Sequence, residues 1–323
     1  MDIRRILVAV ADCGAKPAPE LVKAAELARR CDATLTLFHS FYSPYVAGEQ
    51  YYSPAALQQD IEGAVNVRRQ QLARLAAPLR LSGLQVRERV RWDYPVHDSI
   101  VREALREKAD LVVAGSHRHT RLSRVLLSNT DWQLIRLCPV PLLFVKNARP
   151  WERGRILAAV DPLHAHAKPA DLDAAILRSA AFMAAAFRGR VHALHVWQLA
   201  TPFTAGVLME PVPLPANLVE QQRATAEREF DAMLEPWGLP ARRRHLRSGV
   251  PASEIAALAA QIEAGLVVMG AVSRSGLRRL FIGSTAERTI DAVACDVLVL
   301  KPAGFRSPVP RRRPWRPVAL PPL

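Results

Sequence analysis

Gly270 closes the apolar run Leu266-Val267-Val268-Met269, and a basic loop leads from it to Gly283-Ser284-Thr285. These residue types suit the binding of an anion. Gly270 lets the backbone leave a strand sharply. Gly283-Ser284-Thr285 opens a helix whose first amides have no internal partner. Those amides and the helix dipole favour a phosphate. Ser284 and Thr285 add hydroxyl donors, and Gly283 leaves room for close approach. Arg274, Arg278 and Arg279 supply counter-charge. The same residues also read as an ordinary strand-to-helix connection capped by Ser284.

The segment occurs twice. The first copy reads Leu111-Val112-Val113-Ala114-Gly115, and its helix opens at Ser128-Asn129-Thr130. Gly115 and Gly270, Ser128 and Gly283, and Lys146 and Lys301 all stand at one constant offset. A constant offset means a duplicated domain.

Each copy must position its loop with alternating strands and helices. In the first half, Arg5–Val10, Ala33–His39, Leu84–Val90, Leu111–Gly115 and Leu142–Val145 read as strands. Leu21–Arg30, Ala55–Leu81, Val96–Glu107 and Asn129–Leu137 read as helices. The second half repeats this order. Its strands are Arg155–Val160, Val191–Val196, Arg242–Leu246, Leu266–Gly270 and Val297–Leu300. Its helices are Leu172–Phe187, Asn217–Trp237, Ala252–Glu263 and Thr285–Val293.

Such alternation implies parallel strands with right-handed crossovers. Five strands per half suit a doubly wound sheet of flavodoxin-like order, whose ligands lie beyond the carboxyl ends of the strands. The duplicated loop should then face the end of strand one. Asp161 ends that strand in the second half, and Asp12 sits at or just past that point in the first. The two terminal strands, Leu142–Val145 and Val297–Leu300, are short and apolar and should pair with each other, since an exposed apolar edge invites aggregation.

The chain has 323 residues, half of them hydrophobic, enough for two cores. No apolar run reaches the length of a bilayer span, and the amino-terminal sequence has no signal-peptide pattern. A soluble cytoplasmic protein without a membrane partner is expected. The net charge of +14 attracts anions. Part of it lies in the proline-rich tail 303–323, expected to be disordered and basic. A solvated tail and a binding face account for the charge equally well, and nucleic acid is not expected as a partner.

Four cysteines, Cys13, Cys31, Cys138 and Cys295, lack zinc or redox spacing and read as buried small apolar residues. His117 and His119, and His164 and His166, have no third ligand at diagnostic spacing, so no metal site is expected. His39 and His195 end equivalent strands and read as packed or capping residues. Neither a P-loop nor a Gly-x-Ser-x-Gly elbow is present, and no catalytic residue is assigned.

Several of these motifs resemble the universal stress protein family. Its nucleotide-binding members carry Gly, two residues, Gly, nine residues, Gly, then Ser or Thr. Here Gly270, Ser273, Gly283 and Ser284 stand at that spacing, with serine for the second glycine. The strand Ile156–Asp161, the turn Gly249-Val250-Pro251 and the end Cys295–Pro302 are also similar. The tandem arrangement, with Ser128–Leu134 in the first half, resembles the E-type subgroup.

The resemblance implies two tandem flavodoxin-like domains of HUP type. Each is a five-stranded parallel sheet with helices on both faces, over residues 1–147 and 153–302. It implies ATP binding in a stress-response or regulatory protein, mainly in the second domain, with no metal beyond nucleotide-bound Mg. Asp161 and the backbone near Ala159 and Val196 would meet adenine and ribose. Gly270, Ser273 and Arg274 would line the phosphate loop, and Gly283, Ser284 and Thr285 would hold the β- and γ-phosphates. The first domain departs further, with Arg118 at the second glycine and Ser128-Asn129 for Gly-Ser. The partners implied are an intrachain pseudo-dimer of the two domains and a homodimer. The alternatives are a slow ATP hydrolase and a scaffold whose cavity, lined by Phe41–Tyr52 and Phe203–Leu214, takes an apolar ligand.

Overall fold

The computed structural model describes residues 2–14, 17–42, 54–115, 129–151, 153–163, 170–198, 216–271 and 284–312. The chain divides into two compact units, Met1–Pro150 with Asp296–Leu323, and Trp151–Cys295.

In the first unit the elements run β1 (Arg5–Ala9), α1 (Pro19–Cys31), β2 (Thr34–Phe41), α2 (Pro54–Leu81), β3 (Val86–Trp92), α3 (Val96–Arg106), β4 (Leu111–Gly115), α4 (Asn129–Leu137) and β5 (Leu142–Val145). The five strands are parallel, in the order β3-β2-β1-β4-β5. The doubly wound class is the expected one, but the third strand lies outside the second rather than beside the first. Its sequence explains this. Val86–Trp92 carries Arg87, Arg89 and Arg91, which suits an edge. Leu111–Ala114, all buried, suits the interior. Leu7, Val8, Leu37, Val112 and Val113 are buried in these central strands. Each such side chain contributes about 1.5–3 kcal/mol.

The second unit holds β6 (Arg155–Val160), α5 (Ala170–Ala186), β7 (Arg190–Trp197), α6 (Ala216–Leu234), β8 (Arg244–Ser248), α7 (Pro251–Gln261), β9 (Ala264–Gly270) and α8 (Ser284–Ala292). Its parallel strands are ordered β9-β6-β7-β8. The long helix expected to reach Trp237 stops at Leu234 and tightens to a 3₁₀ turn over Glu235–Trp237. Pro236 can supply no amide to an α-helix there, and Gly238 then takes a left-handed φ of 57°.

The last strand of the second repeat, β10 (Asp296–Leu300), belongs to the first unit. It pairs antiparallel with β5, placing Val297 opposite Phe144, Leu298 opposite Leu143 and Val299 opposite Leu142. This is the expected pairing of terminal strands. Asp296 anchors it, as its carboxylate forms a buried ion pair with Lys23 of α1 and accepts the Lys146 N–H at 2.8 Å.

Beyond β10, residues 303–312 form neither helix nor strand. Val309 is buried there, and the Lys301 ammonium sits 4.8 Å from the centre of the Phe305 ring. Residues 313–323 lie outside the described part. Cys13, Cys138 and Cys295 are buried and Cys31 is half-buried.

Candidate functional site

Register brings the predicted residues of the second unit to one end of its sheet. Ala159 on β6 lies opposite Leu194 on β7 and Met269 on β9, and Val160 lies opposite His195. Asp161, Val196 and Gly270 therefore stand together at the carboxyl ends of three adjacent strands. This is the switch point, where the chain winds both ways from strand one. Ala159, Asp161, Val196 and Gly270 are all half-buried.

Local contacts set this geometry. The His195 Nδ1–H donates to the Val160 carbonyl at 3.3 Å, tying β7 to the last turn of β6. The Asp161 N–H donates to Asp173 Oδ1 at 3.0 Å, so a buried acid in the first turn of α5 holds the strand's exit. The Asp161 carboxylate itself has no partner among the described residues. At Gly270 a Cβ would stand 2.7 Å from Leu172 Cδ2, so any larger residue would have to displace the Leu172 side chain of α5. Helix α8 opens at Ser284, and Thr285 is half-buried. Ser273, Arg274 and Gly283 lie outside the described residues, as do Arg278, Arg279, His117, His119, His164 and His166. The stretches Tyr45–Tyr52 and Phe203–Leu214 also lie outside them.

The first unit repeats the frame but not the groups. The His39 Nδ1–H donates to the Val10 carbonyl at 2.8 Å, the counterpart of His195 and Val160. Ala11 therefore takes the place of Asp161. Asp12 comes one residue later, is exposed, and accepts the Gly14 N–H at 3.0 Å. The space beside Gly115 is filled by the Glu20 carboxyl group, where the second unit has Leu172 beside Gly270. Glu20 is only 7% exposed.

His39 is buried, and that burial lowers its pKa; its Nε2 has no hydrogen-bond partner among the described residues. The ring stacks on Phe41 at 5.6 Å, and Phe41 meets Trp92 edge-on at 5.1 Å. Sequence reading missed Glu20 and Asp173. Their signal is a carboxylate in a first helical turn directly after a strand-one exit, which alone reads as favourable placement at a helix start.

The chain is 28% identical over 305 residues to universal stress protein E of Escherichia coli strain K12, covering 94% of this chain and 96% of that one. Its fold is similar to that of PA1789 from Pseudomonas aeruginosa PAO1. The TM-score there is 0.71 at 27% identity, over 94% of both chains. A universal stress protein from Archaeoglobus fulgidus DSM 4304 shares the fold at a TM-score of 0.63 and 17% identity, over 92% of this chain and 98% of that one. Among the described residues no helix is long and apolar enough to cross a membrane. The profile of the universal stress protein family matches residues 2–146 and again 152–301. Both copies of the duplicated α/β domain are thus accounted for, and the chain belongs to the universal stress protein family as a tandem of two such domains.

Proposed function

We propose that this protein is a regulatory, ATP-binding member of its family, with one nucleotide held by the second unit. The observation that carries this reading is the unequal pair of strand-four exits. An acidic side chain, Glu20, occupies the space beside Gly115, whereas apolar Leu172 lies beside Gly270. A phosphate approaching the first exit finds that space filled by the Glu20 carboxyl group, and one approaching the second meets only the Leu172 side chain. The carboxylate suited to ribose hydroxyls follows the same asymmetry, since the first unit has Ala11 where the second has Asp161.

In this reading the Asp161 carboxylate accepts from the ribose hydroxyls, and backbone groups at Ala159 and Val196 meet the adenine edge. Gly270, Ser273 and Arg274 line the phosphates. The first amides of α8 with Gly283, Ser284 and Thr285 hold the terminal phosphates. Magnesium arrives with the nucleotide. Binding rather than turnover is the function, exercised in the cytoplasm. The pairing of β10 with β5 supports an intrachain pseudo-dimer of the repeats.

The test is calorimetric titration of the full chain with ATP, since β10 ties the second repeat to the first unit. One nucleotide per chain is expected. Asp161→Ala should weaken it about tenfold, a loss of ~1.4 kcal/mol. Two nucleotides per chain, or affinity unmoved by Asp161→Ala, defeats the assignment. Steady hydrolysis above background that Gly283→Val abolishes would make the protein an ATPase instead.

A further inference from the structure

About 20 Å along β7 from the proposed nucleotide site, at the strand's amino end, the second unit holds a cavity of about 230 Å³. One wall is α5, where Leu177, Ala181 and Ala184 recur on one face of the helix. The two alanines leave volume that longer side chains would fill. Trp237, held by the 3₁₀ turn that ends α6, supplies an aromatic wall. Gly189, Val191 and Leu239 also line it, and Arg190 and Arg243 supply its charge.

The charge here is unbalanced. Two nearby acids are engaged, Glu263 facing Arg155 at 3.2 Å and Asp231 facing Arg244 at 2.9 Å, which leaves Glu235, two residues before Trp237, against two arginines. Neither Arg190 nor Arg243 has a side-chain partner among the described residues. Nearby, His192 Nδ1 and His245 Nε2 lie 3.1 Å apart in a ring-to-ring hydrogen bond. Burial pushes His192 down to about 4, and His245, Arg243, Arg155 and Arg190 push the same way.

We propose that this cavity binds a small aromatic carboxylate, its ring between α5 and Trp237 and its carboxylate between Arg190 and Arg243. Each part of the lining selects one part of the ligand. A guanidinium presents paired donors that match a carboxylate's two oxygens. The apolar wall and the indole favour a ring. A cavity of roughly 150 Å³ already accommodates benzene, so the larger space here takes one ring with its head group. The proposal does not rest on nucleotide binding.

Benzoate is the probe, titrated into the full chain by calorimetry and by tryptophan fluorescence. Saturable binding is expected, and Trp237→Phe should remove the fluorescence change. Acetate, which lacks the ring, and benzyl alcohol, which lacks the charge, should each bind at least tenfold more weakly. Replacing both Arg190→Gln and Arg243→Gln should cost at least tenfold in benzoate affinity with an unchanged melting temperature. Ala181→Phe should fill the cavity and block binding. Saturating ATP should leave benzoate affinity unchanged. The proposal is overturned if benzoate does not bind the native chain, or if acetate or benzyl alcohol binds equally well. Unchanged affinity in the double arginine variant overturns it too. Displacement by ATP would place the ligand at the other end of the sheet and overturn the location.

Discussion

Lys23 and Asp296 sit almost wholly out of water, 3% and 0% exposed, and each depends on the other. Two buried charges bring little net stability as a pair, but removing one takes this counter-charge from a group that stays buried. Lys23→Met is expected to cost about 3–5 kcal/mol for that reason. Adding Asp296→Asn should recover much of the loss, because the amide oxygen still accepts the Lys146 N–H that Asp296 accepts now. Urea unfolding of the three variants checks this, and a double variant as unstable as the sum of the singles would count against the pairing. Neither residue announces its partner in the sequence, where they stand in different repeats. A lysine within an amphipathic helix reads as solvated, and only long-range folding buries it. Asp161 was legible, because a hydrophobic run that ends in an acid marks a strand's exit. Glu20 was not, because its effect comes from lying beside Gly115, far along the chain.

Element identity was largely written in periodicity. The parallel strands of both repeats, their intervening helices and the pairing of the two terminal strands follow from apolar patterns of short and long period. What the pattern left open was where strands lie. The charged alternation of β3 is the signal for its outer position, and it becomes readable once edge and interior strands are compared. The strand β10 is buried at every residue, so its backbone donors must go to neighbours rather than to water. Val299 lies opposite Leu142 in the ladder with β5. Val299→Pro removes a donor and forces a ring into that ladder, with an expected cost of about 3 kcal/mol or more. The β5 face left uncovered should also raise the aggregation rate on mild heating. A Val299→Pro protein with the native urea midpoint and no added aggregation would refute this role for β10.

At the scale of the whole molecule, charge and histidine burial act together on acidification. His39, His97, His192 and His245 all have pKa values lowered from the usual 6.5, in each case with burial as the largest cause. For His192 the value falls to about 4. A histidine that resists protonation when folded takes up its proton in the unfolded chain first. Between pH 6.5 and 4 the unfolded state therefore binds more protons, and stability must fall as pH falls through that window. The net charge of +14 works in the same direction, because each further proton adds to self-repulsion. The charge was plain in the composition. The histidine pair was not, since His192 and His245 meet only because β7 and β8 are neighbours. Urea midpoints should fall from pH 7.5 to pH 5 in the native protein. They should fall by less in a His192→Gln, His245→Gln variant, whose two amides carry no titrating proton. High salt screens the general repulsion but acts less on the half-buried rings, so the difference between the two proteins should survive it. A native protein that gains stability on acidification, or one whose pH slope the double variant reproduces, would show that these rings are not what the acid attacks.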